Sequence, residues 1–342
     1  MFGGEVPARC DVAIIGAGFA GVATGAALAA RGIEAILLER AAELGAFASG
    51  RGAGLGRQLA EDDVTAALAV RGAGLLRTHH PGAWSPTGGI LTFDEPAHGR
   101  AYIARAARLG VAHEVLDRAG VLQRWPDLVG LRIASALYVP GDGVIDIRAL
   151  LHALAAPLRI AFDTAVELVE PAGPGVRIAT ARGVIEARVV VDASGAWAGA
   201  LTGDPGLDVY RRHLYVLEAA AQAGAPYLWH LGREEMYVRR EGDGILVSPC
   251  DSTPTEPGEQ PCDETGDLTL HDRLATAQRL LRAPITRRWA CQRAFTPDRT
   301  MRLGIDPRRP WLVWAAALGG HGATCSLAVG ETVADAVVRA LG

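Results

Sequence analysis

Apolar residues along this chain fall into short β-branched runs that alternate with longer segments of helical spacing. The first run, at 11–15, stops at Gly16, and an alanine-rich segment follows at 22–30. A second apolar run at 33–38 ends on Glu39. A strand, a helix and a second strand in this order predict a βαβ unit near the start of the chain.

The rest of the chain continues both patterns. Helical spacing recurs at 62–77, 97–108, 118–125, 147–155, 267–281 and from about 324, and strand-like runs occur at 88–93, 161–170, 175–180, 187–191 and 286–295. Between 211 and 250, strand-like runs follow one another without helices, which indicates an antiparallel sheet. The polar, proline-rich residues 251–266 predict a surface loop. The α/β class is therefore expected.

Glycines at 16, 18 and 21 have the spacing of a dinucleotide-binding turn. Gly16 would make the tight turn, Gly18 would leave room for a pyrophosphate, and Gly21 would let the helix pack close to the strand. Glu39 stands about 20 residues further on, where a carboxylate accepts hydrogen bonds from the adenosine ribose. The unit alone also fits a nicotinamide cofactor. The uncharged run at 12–30 has the length of a membrane span, but its glycines favour a soluble unit.

Two other glycine-rich turns are candidates for contact with the same ligand. Residues 45–59 carry Ser49, Arg51 and Arg57, and they predict a loop that approaches an anion; an ordinary surface loop is the alternative. Near the C-terminus a strand runs into Gly-Gly-His-Gly at 319–322, and a helix follows. The N-terminal end of that helix would face the cofactor.

Composition excludes several classes of function. The 342 residues are 49% hydrophobic, which suits one large or two interleaved domains, and the net charge of -4 without a basic block argues against a nucleic-acid partner. All 34 cationic side chains are arginine, which excludes a lysine Schiff base. The N-terminal residues 1–10 show no secretory signal and no transmembrane segment is predicted, so the cytoplasm is expected. Five cysteines without CxxC spacing predict free thiols, and no metal site is predicted.

Several motifs occur together in the order seen in flavin-dependent amino acid and amine oxidoreductases. They are GAGFAG with Glu39, ASGRGAG at 48–54, GDGVID at 141–146, VVVDASGAWA at 189–198, and RAFTPDR followed by ALGGHG. The chain resembles the D-amino acid oxidase superfamily, and most of all its bacterial branch of D-arginine dehydrogenase, glycine oxidase and sarcosine oxidase. The resemblance spans nearly all of the chain and favours FAD over NAD.

For the fold, the resemblance implies a glutathione-reductase-like FAD (Rossmann) domain interleaved with a substrate domain built on a large antiparallel sheet. The expected FAD-binding domain comprises 1–80, 139–207 and 294–342. The expected substrate domain comprises 81–138 and 208–293.

For the reaction, the resemblance implies FAD-dependent oxidation of a small, neutral amino acid, D-configured or glycine-like, or of a secondary amine. Hydride passes to flavin N5, and the imine formed is hydrolysed to an oxo acid. Arg293 and Arg212 would bind the substrate carboxylate with Tyr237, since an arginine fork suits a carboxylate. Arg211 is an alternative to Arg212, because strand alternation lets one of them face the site. For His321, a flavin contact or wall role is favoured over that of a base.

Cofactor contacts are implied at the glycine turns, at strand ends and at the start of the last helix. The positions are Gly16, Gly18, Gly21, Glu39, Arg40, Ser49, Arg51, Ala53, Gly54, Ala193, Gly195, Trp197, Gly319, Gly320, His321, Gly322 and Thr324.

Three positions compare informatively with the branch. The acid that recognises the guanidinium in D-arginine dehydrogenase would fall near Gly89, and a glycine there argues against cationic substrates. The lysine of sarcosine oxidases is Thr324, which argues against a fast oxidase. Cys291 stands seven residues before Asp298, as does the cysteine that tethers FAD in sarcosine oxidases. A covalent link to Cys291 is nevertheless the less favoured hypothesis, and non-covalent FAD is expected.

Two rival functions remain open. The chain is alternatively the flavin subunit of a heteromeric amine or opine dehydrogenase complex, or a non-catalytic flavoprotein. The electron acceptor, whether quinone, oxygen or a partner protein, is not defined by the sequence.

Overall fold

The computed structural model describes residues 6–204 and 206–342; residues 1–5, on which part of the N-terminal prediction rests, and Pro205 lie outside the described residues. The strands are β1 (Arg9–Ile15), β2 (Ala35–Leu38), β3 (Leu55–Gly56), β4 (Trp84–Ser85), β5 (Gly89–Phe93), β6 (Glu114–Leu116), β7 (Ser135–Val139), β8 (Gly143–Ile145), β9 (Arg159–Ala161), β10 (Val166–Ala172), β11 (Gly175–Thr180), β12 (Gly183–Asp192), β13 (Asp208–Leu217), β14 (Tyr227–His230), β15 (Met236–Glu241), β16 (Gly244–Ser248), β17 (Thr253–Pro254), β18 (Ile285–Phe295), β19 (Arg302–Asp306) and β20 (Arg309–Ala316). The helices are α1 (Phe19–Ala29), α2 (Asp63–His79), α3 (Pro96–Arg108), α4 (Arg118–Arg124), α5 (Ile147–Ala155), α6 (Glu264–Arg273), α7 (Gln278–Leu281) and α8 (Gly322–Leu341).

An eight-stranded sheet carries the βαβ unit. Its order is β10-β11-β12-β1-β2-β9, with β20 beside β12 and β19 beside β20. β1 is parallel to β2 and β12, and β12 is parallel to β20. The chain therefore leaves these four strands at one edge of the sheet, where a ligand binds in open parallel sheets. Gly16, Glu39, Ala193 and Ala317 follow the four strands at that edge.

A nine-stranded sheet has the order β17-β13-β16-β15-β14-β5-β7-β6, with β18 on the other side of β13. The antiparallel organisation predicted for 211–250 is confirmed, because β13, β16, β15 and β14 pair antiparallel in turn. β14 is parallel to β5, which the alternation of residues did not indicate. A small third sheet, β3-β8-β4, completes the strands of the described residues.

The two large sheets follow the predicted division of the chain. Strands of the first lie in 1–80, 139–207 and 294–342, and those of the second lie in 81–138 and 208–293, except that β7 and β18 run slightly past these bounds. The domain division itself stays a prediction.

Glycines permit the close packing of α1. A Cβ at Gly21 would lie 1.9 Å from the Gly16 carbonyl oxygen, so the predicted role of Gly21 in helix packing is confirmed. α8 crosses both α1 and α2 at glycines, since a Cβ at Gly330 would lie 2.4 Å from the Ala23 oxygen and one at Gly72 would lie 2.1 Å from the Thr324 oxygen. α8 also buries a face of valines and alanines, each buried valine contributing about 1.5–3 kcal/mol.

Two predicted elements were wrong in extent. The strand expected at 161–170 is two strands, because the chain turns at Asp163, whose φ is 50°, and β9 and β10 lie at opposite edges of the sheet. The helix expected at 267–281 is α6 and α7, and α6 begins inside the predicted loop 251–266, where Asp263 accepts a hydrogen bond from the Gly266 amide. In the described part of the chain, no helix has the length and apolar character needed to cross a membrane.

Candidate active site

A cavity of about 680 Å³ runs from the carboxyl edge of the eight-stranded sheet to residues of β13, β15 and β18 in the nine-stranded sheet. Every predicted site residue lines it except Gly21 and Arg51. Gly21 lies inside the β1–α1 packing, and the Arg51 guanidinium points elsewhere, donating to the Ala46 carbonyl and to Glu259. The fold thus brings together residues that are up to 308 positions apart, from Gly16 to Thr324.

The turn between β1 and α1 forms one end of the cavity. Gly16 has a φ of +101°, and a Cβ there would lie 2.6 Å from the Ala193 oxygen, so the turn requires glycine. A Cβ at Gly18 would lie 2.8 Å from Ser49 Oγ, which accepts a hydrogen bond from the Phe19 amide. The first turn of α1 carries no acidic residue, which leaves the positive end of its dipole available to an anion.

Glu39 lies at the end of β2, buried at the same edge. Its Oε2 accepts a hydrogen bond of 2.7 Å from the Ala17 amide, and its Oε1 accepts one of 2.9 Å from the Ala41 amide. A carboxylate has about four acceptor sites, so Glu39 can accept further hydrogen bonds from ligand hydroxyls. Nearby, the Arg40 guanidinium lies 4.7 Å from the Trp197 ring centroid.

These residues fit FAD. The glycine positions that a Cβ would fill, the uncompensated N-terminus of α1 and the spare acceptor capacity of Glu39 match a pyrophosphate followed by a ribose. Side chains of the nine-stranded sheet hold the 45–59 loop against this end: Arg239 Nε donates to the Ala53 oxygen and Trp289 Nε1 donates to the Arg51 oxygen. The loop is therefore a wall of the cavity, while its predicted approach to an anion stays a prediction.

The Gly-Gly-His-Gly turn joins β20 to α8 on the opposite wall. Gly319 and Gly320 both have positive φ, and a Cβ at Gly320 would lie 2.9 Å from Arg293 Nε. The His321 amide donates to the Leu318 oxygen within the turn, so the cofactor contact predicted at His321 does not come from its backbone amide. The amides of Gly320 and Gly322 remain the candidates for such a contact.

The buried Arg57 guanidinium forms a charged group with His321 and with Glu61, whose side chain is half-exposed. Its Nη2 donates to Glu61 Oε1 at 2.7 Å and lies 3.3 Å from His321 Nε2, which is 3.1 Å from Glu61 Oε2. The guanidinium stacks on Trp229, 4.0 Å from the ring centroid. Burial alone would raise the pKa of the Glu61 carboxyl, but Arg57 and His321 outweigh it and hold the pKa well below its usual range. His321 is thus tied into the cavity wall, in agreement with a wall role.

Arg212, Arg293 and Tyr237 lie together at the far end of the cavity. β13 and β18 place Arg212 opposite Cys291 and Arg293 opposite Tyr210, so the two arginines are diagonal neighbours. Arg212 donates to the Cys250 and Asp251 carbonyl oxygens, while Arg211 pairs with Asp263 and does not line the cavity. Arg212 is therefore the inward residue of the two.

The Tyr237 hydroxyl faces this end without a partner. It is buried and has no hydrogen bond within the described residues. Burial raises its pKa to about 12, although Arg293 and Arg212 oppose the shift, so the hydroxyl stays protonated at neutral pH. Two arginine forks and one phenol donor form an arrangement suited to a carboxylate.

Cys291 does not line the cavity. It is buried, and its sulfur accepts a hydrogen bond of 2.9 Å from Arg293 Nη1. Because Cys291 does not line the cavity, the structure supports non-covalent binding of a cofactor.

The sequence interpretation missed several residues of the wall. Glu61 follows Arg57 by four positions, but its pairing with His321 depends on the approach of α8, which no local pattern shows. Trp229, Glu235 and Gln292 also line the cavity. Alternation along β14 was a usable signal for Trp229. Alternation along β18 argued against Gln292, because its neighbour Arg293 faces inward, and Glu235 precedes β15 and gave no signal. Within the described residues, no cluster of three His, Cys, Asp or Glu side chains would hold a metal ion.

Comparison with known proteins identifies similar chains. The profile of the family described as "FAD dependent oxidoreductase" matches residues 11–336. Mitochondrial dimethylglycine dehydrogenase of Mus musculus is 26% identical over 270 residues, covering 71% of this chain and 31% of that protein. This chain thus spans about a third of the length of that relative. Glycine oxidase of Geobacillus kaustophilus is 28% identical over 355 residues, covering 97% of this chain and 93% of that protein.

Solved structures show the same fold. L-proline dehydrogenase from P. horikoshii superposes with a TM-score of 0.89 at 20% identity, covering 98% of this chain and 94% of the other. Glycine oxidase from Geobacillus kaustophilus superposes with a TM-score of 0.83 at 26% identity, covering 97% and 95%. The match extends over both large sheets, which agrees with the predicted pairing of a Rossmann domain and a substrate domain.

Proposed function

Because the chain belongs to the FAD-dependent oxidoreductase family, we propose that it oxidises an amino acid or secondary amine, with glycine-like or D-amino acids favoured. It is an enzyme of the amino acid and amine oxidoreductase class, and FAD is its cofactor. The observation that carries the proposed substrate is the group of Arg212, Arg293 and Tyr237 at the end of the FAD cavity. Bound FAD supplies the acceptor, at N5, for a hydride from the carbon bearing the amine; the imine product is hydrolysed to an oxo acid.

The residues of the chain act in this proposal by positioning. Arg212 and Arg293 bind the substrate carboxylate, and the protonated Tyr237 hydroxyl donates a third hydrogen bond to it. Holding the carboxylate at three points fixes the neighbouring carbon, which lowers the entropic cost of reaching the reactive geometry. Arg293 packs against Gly320, so the carboxylate site adjoins the turn that lines the FAD cavity.

The N-terminal end of α8 contributes electrostatically. The helix spans 20 residues, and its dipole directs positive charge to the cavity at Gly322. Together with the arginines it favours negative charge at this end. No side chain is assigned as an obligatory base, because His321 is engaged with Glu61 and an amine that has lost its proton needs none.

The charge of the substrate side chain was predicted from position 89. A neutral side chain was expected because no acidic residue stands at that position. Gly89 does not line the cavity, and a Cβ there would lie 2.3 Å from the Tyr227 ring, so position 89 does not set the charge of the site.

Anaerobic flavin reduction tests the proposed function. The holoenzyme is mixed with D-, L- and N-methyl amino acids, and one class should bleach the visible flavin absorbance. Arg212→Ala should then lower kcat/KM by roughly 100-fold, as expected for losing charged hydrogen bonds. Arg211→Ala is the matched control, since its side chain pairs with Asp263 outside the cavity, and it should keep kcat/KM. If FAD is bound but no amine bleaches it, the proposed function is wrong.

A further inference from the structure

Glu235 places a carboxylate at the substrate end of the cavity. It immediately precedes β15 and lines the cavity with Arg212, Trp229 and Tyr237. The adjacent Glu234 is exposed and does not line it. The site thus contains an anionic group beside the residues that hold the carboxylate.

Two hydrogen bonds hold Glu235 in place. Its Oε1 accepts a hydrogen bond of 2.8 Å from Trp229 Nε1, and its backbone oxygen accepts one of 3.2 Å from Arg273 Nε. The Trp229 ring is fixed in turn by the Arg57 guanidinium stacked on it. Glu235 is therefore a preorganised acceptor.

This carboxylate is only partly satisfied by the protein. Among the described residues, the Trp229 indole is the hydrogen-bond donor to its carboxylate, and no cation forms an ion pair with it. Arg212 is close enough to interact with its charge through space. Since a carboxylate has about four acceptor sites, at least one oxygen has capacity for a donor in the cavity. A partly buried carboxylate that lacks such a donor raises the free energy of the folded protein.

We propose that Glu235 binds a cationic group, ammonium or guanidinium, on the side chain of the substrate. This inference rests on the proposed function, in which Arg212 and Arg293 hold the substrate carboxylate. The substrate then carries opposite charges at its two ends, and each meets its complement: arginines at the carboxylate and Glu235 at the distal cation. This inference narrows the proposed substrate class to basic amino acids and excludes glycine-like ones.

Pairs of non-oxidisable ligands test the assignment. The probes are 4-aminobutanoate, 5-aminopentanoate and 6-aminohexanoate, each compared with the alkanoate of the same length, titrated into the holoenzyme by calorimetry. All of them carry the carboxylate, whereas only the amino member of each pair carries the distal ammonium. For at least one length, the amino member should bind roughly tenfold or more tightly, as expected for a hydrogen bond between charged groups.

Variants of Glu235 and of its exposed neighbour Glu234 test whether the charge of Glu235 causes the preference for the amino member. Glu235→Gln should abolish the preference for the amino member, because the amide keeps the indole contact but loses the charge. Glu235→Asp, which retains the charge, should keep part of the preference and so separates loss of charge from misfolding. Glu234→Gln is the control and should behave as wild type.

Equal binding of the two members of every pair by the wild type, or a preference that survives in Glu235→Gln, would overturn the assignment. Because the probes lack an amine beside the carboxylate, the result does not depend on turnover. A holoenzyme that is reduced by neutral amino acids but shows no ammonium preference refutes this inference alone. A holoenzyme that shows the preference but is reduced by no amine refutes the proposed function alone.

Discussion

Tyr237 is a residue at which binding and stability oppose each other. Its hydroxyl is buried without a hydrogen bond in the described residues, and an unsatisfied buried hydroxyl costs about 1–3 kcal/mol. The same hydroxyl is the proposed third donor to the substrate carboxylate. A group left unpaired in the free protein is available to pair with a ligand.

Tyr237→Phe is therefore expected to raise the free energy of unfolding by about 1 kcal/mol and to weaken binding of pentanoate to the holoenzyme by roughly tenfold. Urea unfolding and calorimetry measure the two effects. Tyr215→Phe is the control, because the Tyr215 hydroxyl donates to Asp267 at 2.9 Å, and its loss should lower the free energy of unfolding. A Tyr237→Phe variant less stable than wild type contradicts the explanation.

Site residues that belong to a sequence motif could be predicted. Residues whose role depends on a contact with a residue distant in sequence could not. Alternation along β13 shows that one of Arg211 and Arg212 faces inward, but the choice follows from the ion pair of Arg211 with Asp263, 52 positions away. Glu235 belongs to no motif. Its role arises because β14 and β15 pair and bring the Trp229 indole to its carboxylate.

At the scale of elements, the packing of β1, α1 and the turn between them depends on the absence of a side chain at Gly21. Gly21→Ala would place a Cβ 1.9 Å from the Gly16 oxygen and force the helix away from the strand. We expect a loss of several kcal/mol in the free energy of unfolding, in the range of severe overpacking, and loss of bound FAD on purification. Thermal unfolding and the flavin-to-protein absorbance ratio measure both.

Gly74→Ala is the matched control for that substitution. Gly74 lies inside α2, and a Cβ there would meet no atom within 4 Å. The substitution should stabilise the protein by up to about 1 kcal/mol through helix propensity and leave FAD bound. If Gly21→Ala and Gly74→Ala change stability and FAD content equally, close packing at Gly21 is not the cause of the destabilisation.

The elements that the sequence predicted well are those whose pattern is local. The β1–α1–β2 unit and α5 appear almost where the apolar pattern placed them. α5 buries one face, whereas β1 and α1 are buried over consecutive residues, and both patterns are visible in the local sequence. The run at 161–170 is continuous in sequence, yet the turn at Asp163 sends its two halves to opposite edges of the sheet. β19 was missed because its arginine- and glycine-containing segment is defined by pairing with β20.

At the scale of the whole molecule, Asp142 joins the small third sheet to the nine-stranded sheet. It precedes β8; its Oδ1 accepts hydrogen bonds from the Gln58 amide and side chain, and its Oδ2 accepts one from the Tyr227 hydroxyl of β14. Burial raises the pKa of the Asp142 carboxyl from 3.8 to about 6, although the hydrogen bonds from Tyr227 and Gln58 oppose the shift.

Asp142 should therefore make stability depend on pH. Between 3.8 and about 6 the folded protein binds more protons at this site than the unfolded chain, so the contribution of Asp142 to stability falls as pH rises. Relative to Asp142→Asn, wild type should lose up to about 3 kcal/mol between the two ends of that window. Urea unfolding of both proteins from about pH 4 to about pH 7 measures the difference. A difference that stays constant, or that moves in favour of wild type, contradicts the prediction.

The order of elements along the chain has a consequence for biosynthesis. α8 covers α1, and the turn before α8 closes the cavity, yet Gly322 is synthesised 293 residues after Ala29. At a synthesis rate of roughly 5–20 residues per second, α8 is made about 15 to 60 seconds after α1. The apolar residues of α1 that α8 covers are uncovered for that time. The nascent Rossmann unit therefore lacks the covering of α8 during that interval, and the cavity can close around FAD only after translation has passed β20.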